Sequence, residues 1–188
     1  EKVWFCQKGY GSLKIIKIYE ERLTGGHPNS LGNTVSVVAE VLEKPSRFEA
    51  FFQCYFSMDE VVRLRVSNGM KRIAKEKPEL LVPYLDRFLA EIAEIPQAST
   101  QWTLSQLFLM LEHSLSNSQY NQALVIMKNN LQHHSDWIVL CQTMETLGKW
   151  SKKDNSIKIW MLPELERLRQ DRRKSVSKKA EKWLKVLV

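Results

Sequence analysis

The stretch Val62-Arg63-Leu64-Arg65-Val66-Ser67-Asn68-Gly69-Met70-Lys71-Arg72-Ile73 decides the fold. Its apolar or small residues, Val62, Val66, Gly69, Met70 and Ile73, lie at offsets of 4, 7, 8 and 11 from the first. Those offsets trace one face of an α-helix. The stripe then recurs at spacings of 38, 39 and 37 residues, anchored at Thr100, Val139 and Val176. The second copy continues through Leu104, Leu107, Phe108 and Leu111, and the third through Thr143, Thr146, Leu147 and Trp150. The fourth runs through Ala180, Trp183, Leu184 and Leu187. One helix type recurring about every 38 residues is the signature of stacked helix pairs, each too small to bury its apolar face alone.

Working outward, a second set of helices falls between the stripes. Glu79 to about Ile95 puts Leu81, Leu85, Phe88, Leu89 and Ile92 on one side. Ser118–Leu131 and Ile157–Gln170 follow in the next two intervals. Pro83-Tyr84-Leu85-Asp86-Arg87-Phe88 lines up with Pro163-Glu164-Leu165-Glu166-Arg167-Leu168. Because proline is tolerated only in a first turn or at a kink, these helices are expected to begin near Pro83 and Pro163 or to bend there. Before the repeats, Ser12 to Arg22 reads as a basic amphipathic helix with Leu13, Ile16 and Tyr19 on one side. The glycines and proline of 23–28 break it, and Asn29 or Ser30 is the expected cap of a helix reaching Leu42. Ser46 is a candidate cap of a phenylalanine-rich helix to about Phe56, Asp59 opens the first repeat, and Ser99, Asp136 and Ser175 lie at or near the starts of later repeat helices, where cap residues belong.

The expected organisation is therefore all-α. It has an N-terminal helical segment at 1–22, repeats near 23–58, 59–96, 97–134 and 135–173, and a final helix at 174–188. Residues 1–11 carry Trp4, Phe5 and Tyr10 without a clear period, and packing back onto the array is one expectation for them.

The chain of 188 residues has a net charge of +7, and its distribution is uneven. Residues 1–150 hold 16 basic and 16 acidic side chains, whereas 151–188 hold 12 and 5. The whole excess thus sits at one end. A solvated end cap explains such a bias, and so does attraction to nucleic acid or an acidic protein. Cys6, Cys54 and Cys141 are odd in number and widely spaced, so buried free thiols in a reducing compartment are expected. No apolar run reaches the length of a membrane span, and no signal peptide or Asn-x-Ser/Thr acceptor is seen. Cytoplasm is the expected location, no membrane association is expected, and a monomer is expected.

No chemistry-bearing motif emerges. A phosphate loop, His-Glu-x-x-His and Gly-x-Ser-x-Gly are all absent from the sequence, so no cofactor, metal site or catalytic residue is assigned. His133-His134 read as helix-end residues favoured by the helix dipole.

Asp59-Glu60-Val61-Val62-Arg63-Leu64-Arg65-Val66 resembles the opening of a HEAT repeat, and the Pro-x-Leu second helix looks HEAT-like too. The resemblance is good over 59–96 and weaker beyond, where Gln101, Leu140 and Ser177 replace Arg63. It implies a right-handed α-α superhelix of HEAT/ARM-like type with about five helix pairs. It also implies a non-enzymatic scaffold or adaptor that binds a protein or peptide, acidic in character, on its concave face. Tyr84, Arg87, Lys128, Arg167 and Arg169 are the contact residues so expected. The alternative is a nucleic-acid-binding HEAT-like protein gripping phosphates with Arg172, Arg173, Lys178 and Lys179. In its sharpest form this would be similar to the alkylpurine DNA glycosylases, with Trp102, Asp136 and Trp137 as candidates. Fold analogy alone also admits the HEAT-like bilin lyases.

Overall fold

The structure, a computed structural model, describes residues 2–27 and 30–188, with side chains from Leu13 onward. The expectations for Pro28, Asn29 and the side chains of Trp4, Phe5, Cys6 and Tyr10 lie outside that range. Among the described residues every regular element is helical and no strand occurs. All twenty stripe positions named above are buried, which is why the period could be read from sequence. The chain divides into two compact units, 1–84 and 85–188.

The first unit contains α1 (Lys2–Leu23), α2 (Thr34–Glu43), α3 (Phe48–Gln53) and α4 (Glu60–Glu76). α4 packs against α1 and α2, and α1 also packs against α3. Val37, Val41, Phe51, Phe52, Met70 and Ile73 fill the space between them. Asp59 caps α4, accepting from Val61 N at 2.8 Å and from the Thr24 hydroxyl. Arg65, 3% exposed, is a buried cation of this unit. Its guanidinium donates to the carbonyls of Leu23, Thr24 and Ser30 at 2.6, 3.1 and 3.2 Å. A charge taken out of water must be paired or hydrogen-bonded, and here a ring of loop carbonyls does so. Gly32, at φ +50°, lies close against the guanidinium, and a Cβ there would sit 2.9 Å from the Arg65 guanidinium carbon.

The second unit contains α5 (Leu85–Arg87), α6 (Ala98–Met110), α7 (Asn117–His133), α8 (Trp137–Trp150), α9 (Asn155–Arg169) and α10 (Lys174–Leu187). α8 is its centre, packing against α6, α7, α9 and α10. Polar side chains stitch the α6–α8 contact: the Ser105 and Thr143 hydroxyls bond at 3.1 Å, and Thr146 Oγ1 donates to the Ser105 carbonyl at 2.7 Å. Gly148 lets α10 approach, since a Cβ there would lie 2.3 Å from the Trp183 ring. Trp150, fully buried, stacks on Tyr120 with ring centroids 4.2 Å apart.

Several local expectations are corrected. The helix expected over 79–95 is instead two 3-10 turns, Pro78–Leu80 and Val82–Tyr84, then α5 and a π-helical turn, Phe88–Ile92. Pro78 and Pro83 lack the N–H that a continuous ladder needs, so the chain takes short turns around them. Pro163 lies inside α9, eight residues past Asn155, which excludes a helix start there and leaves the expected span over 157–170 in place. Ser30 does not cap α2, which begins at Thr34 after the Gly32 turn, and Ser46 lies in a 3-10 turn. Ser99 and Ser175 fall within first turns, where Gln97 and Arg173 precede their helices without side-chain caps. Asp136 does cap, accepting from Ile138 N and Val139 N at 2.8 and 3.0 Å. Leu13 faces solvent, whereas Tyr19 and Leu23 are buried.

Candidate functional site

α7 is unusual for a surface helix. Its seventeen residues, Asn-Ser-Gln-Tyr-Asn-Gln-Ala-Leu-Val-Ile-Met-Lys-Asn-Asn-Leu-Gln-His, include seven amides and only one Lys or acid, Lys128. A capping box starts it: Gln119 N donates to Ser116 Oγ at 3.2 Å, and Ser116 N donates to Gln119 Oε1 at 2.9 Å. Ala123, Met127 and Leu131 turn inward and fix the helix to the core. The outward face therefore carries Ser118, Asn121, Gln122 and Val125, the last 67% exposed.

Opposite stands the π-helical turn, where Ala93 N donates to the Phe88 carbonyl five residues back at 3.1 Å. Such a turn inserts an extra residue into the helical ladder and is frequent at functional sites. Gln119 Nε2 ties α7 to α5, which leads into that turn, by donating to Asp86 Oδ1 at 2.7 Å. Between α7 and the turn lies an open groove of about 570 Å³ lined by Leu89, Ser118, Asn121, Gln122, Val125 and Ile126. Its lining holds no charged side chain. Carboxamides offer both donors and acceptors, matching a peptide main chain, while Leu89, Val125 and Ile126 offer apolar contact.

The contact residues expected from sequence are already engaged. Tyr84 is half-buried in the first unit against Phe48 and Phe52, with ring centroids 4.6 and 4.9 Å away. Arg87 makes a two-pronged bond to Glu91, at 2.7 and 3.1 Å. Lys128 Nζ sits over the Trp160 ring at 4.8 Å. Arg167 pairs with Glu164 at 2.9 Å and donates to the Leu131 carbonyl at 2.9 Å, and Arg169 pairs with Glu166 at 2.9 Å. None of these five lines the groove.

The alternative set splits in two. Arg173 is held by Asp171, whose carboxyl stands near pKa 2 because the guanidinium donates to it. Arg173 also donates to the Ser135 carbonyl. Lys179 pairs with Glu145 at 3.0 Å. Arg172 and Lys178 face solvent. Asp136 is committed to its cap, Trp102 is half-buried, and Trp137 is 46% exposed. His133 closes α7 with Nδ1 beside Asn129, and His134 Nδ1 accepts from Asp136 N at 3.0 Å.

Cys54 and Cys141 are buried free thiols, and burial pushes Cys54 up to about 12. Among the described residues no cluster of three His, Cys, Asp or Glu is placed to hold a metal, and no helix is long and apolar enough to cross a membrane.

Sequence reasoning missed the groove. The signal for one wall was available, because α7 keeps an amide-rich, nearly uncharged surface where solvated helices usually carry charges. The other wall had no signal, because a π-turn has no fixed sequence signature. A scan against protein-family models and a search of curated proteins return no match to this chain.

Proposed function

We propose that this chain is a non-enzymatic, HEAT-like helical-repeat scaffold that binds a partner protein through the groove beside α7. On this reading its helix pairs, which recur at a 38-residue period, form a right-handed α-α superhelix, as the HEAT-like resemblance implies. The observation that carries the function is the groove's lining: three apolar side chains and three neutral polar ones, with Val125 exposed. An isolated exposed valine is ordinary, but one set in a groove with hydrogen-bonding amides fits a peptide. The preferred ligand is an extended segment with an apolar anchor and few charges. An acidic ligand is less favoured, because Arg87, Arg167 and Arg169 already have glutamate partners on their own segments. The reading also carries a cytoplasmic, monomeric protein without a cofactor.

The test is selection of displayed random peptides of about twelve residues, long enough to fill a groove of this size. Selected peptides are then rebound to Val125→Arg. Enrichment of apolar-anchored peptides that lose binding to the variant supports the proposal. Enrichment of peptides indifferent to Val125→Arg places the binding face elsewhere.

A further inference from the structure

We infer that the outward face of α10 is a docking ridge for the phosphate backbone of duplex nucleic acid. The inference is independent of the groove beside α7. Arg167, Arg169, Arg173, Lys153 and Lys179 each have a carboxylate partner. Lys182 reaches Glu145 only at 3.4 Å, where that carboxylate is shared with Lys149 and Lys179. Arg172, Lys174, Lys178 and Lys185 are exposed and make no ion pair among the described residues.

Their placement is regular. Lys174, Lys178, Lys182 and Lys185 follow one another at steps of 4, 4 and 3 residues, which is one face of a helix. The opposite face, Val176, Ala180, Trp183, Leu184 and Leu187, is buried against α8 and α9. The ridge is about 16 Å long at the helical rise per residue. One strand of duplex DNA presents roughly five phosphates over that length. Glu181, the only acid on α10, stands three residues after Lys178 and four before Lys185 and so borders the ridge, leaving it a net excess of three positive charges over its four lysines.

Helix stability does not account for this pattern. The first turn of α10 has no acidic residue, and Arg172 and Lys174 stand at its positive end beside Arg173, the last paired with Asp171. Cations there oppose the helix dipole, and like charges four residues apart repel. A bound polyanion reverses both effects.

The surroundings narrow the polyanion. The apolar face of α10 is used inside the protein, so it is not available to insert into a bilayer. Trp183 is 2% exposed, so no aromatic ring on the ridge is free to stack on unpaired bases. The readout is therefore of phosphates, without sequence preference.

The experiment measures binding of a fluorescent duplex of about 24 base pairs by anisotropy between about 50 and 200 mM salt. A single strand of the same length and vesicles with about 30% anionic lipid serve as competitors. Four to five phosphate contacts give a log–log salt slope of about −4. The variant K174Q/K178Q/K182Q/K185Q is expected to bind at least about tenfold more weakly, with a slope near zero. The milder K178Q/K185Q is expected to retain about half the slope. A charge-matched control, K14Q/K17Q/K44Q/K75Q, removes four exposed lysines from the first unit and is expected to stay within about twofold of the parent. Absence of duplex binding at the lower salt overturns the inference. So does equal weakening by the control, which would make binding a matter of net charge alone. Preference for the single strand or for the vesicles assigns the ridge to another ligand and overturns it equally.

Discussion

Asn130 Nδ2 donates to Gln101 Oε1 at 2.9 Å, joining α7 to α6 through two buried carboxamides. Gln101 spends its own amide on the carbonyls of Ala93 and Ile95, at 2.9 and 2.8 Å. Gln101 aligns with Arg63, and Arg63 Nη1 likewise donates to the carbonyl six residues back, Ser57, at 2.5 Å. The replacement thus keeps the bond that pins the preceding turn, and it adds an acceptor that arginine lacks. Gln101→Leu leaves the Asn130 amide and the Ala93 and Ile95 carbonyls without this partner. It is expected to destabilise the fold by about 2–4 kcal/mol, read from the urea midpoint.

Gly148→Ala is expected to cost about 1–3 kcal/mol, because its Cβ would stand 2.3 Å from the Trp183 ring and a packed core resists such insertion. Thermal unfolding followed by tryptophan fluorescence reads the effect. An unchanged midpoint would mean that α10 sits farther from α8 than described.

Asp171 sets a pH dependence. The hydrogen bond from Arg173 holds its carboxyl near pKa 2, below the ordinary 3.8. A depressed carboxylate pKa contributes stability that is fully present above the unfolded value and is lost as pH falls through the folded one. Asp171→Asn is therefore expected to lower stability at neutral pH by about 1 kcal/mol, allowing for solvent around the pair. It should also flatten the acid limb between about pH 4 and 2. Urea unfolding across that range checks both.

Cys54 is expected to resist alkylation in the native state, because burial holds its thiol near 12 and the thiolate is the nucleophile. Its Sγ lies 3.3 Å from the Ala50 carbonyl oxygen, inside the α3 turn. Peptide-resolved mass spectrometry with iodoacetamide at about pH 8 should show Cys54 labelled only as the chain opens. Rapid labelling without denaturant would place the thiol at the surface.

The helices were legible wherever burial imposed a period. The stripes at Val62, Thr100, Val139 and Val176 are the inward faces of α4, α6, α8 and α10, and all of their positions are buried. Boundaries were less legible, because caps are chosen by backbone geometry rather than residue type alone. Asp59 and Asp136 cap, whereas Ser99 and Ser175 lie two residues past the cap positions Gln97 and Arg173. Pro83 and Pro163 share a motif yet occupy a 3-10 turn and a helix interior, since neighbouring contacts decide how a missing N–H is absorbed. The expected contact residues are outward positions of the second helices, and an outward arginine on a helix finds a nearby glutamate first, as at Arg87, Arg167 and Arg169. The groove depends on what is absent from its lining and on a π-turn, neither of which the apolar period encodes.

The central claim is that the groove beside α7 receives an apolar-anchored peptide. Amide hydrogen exchange with and without a selected peptide tests it most directly. The account predicts slowed exchange over Phe88–Ile92 and the segment 118–126, removed by Val125→Arg while the fold persists. Protection confined to other segments, or protection that survives Val125→Arg, would contradict it.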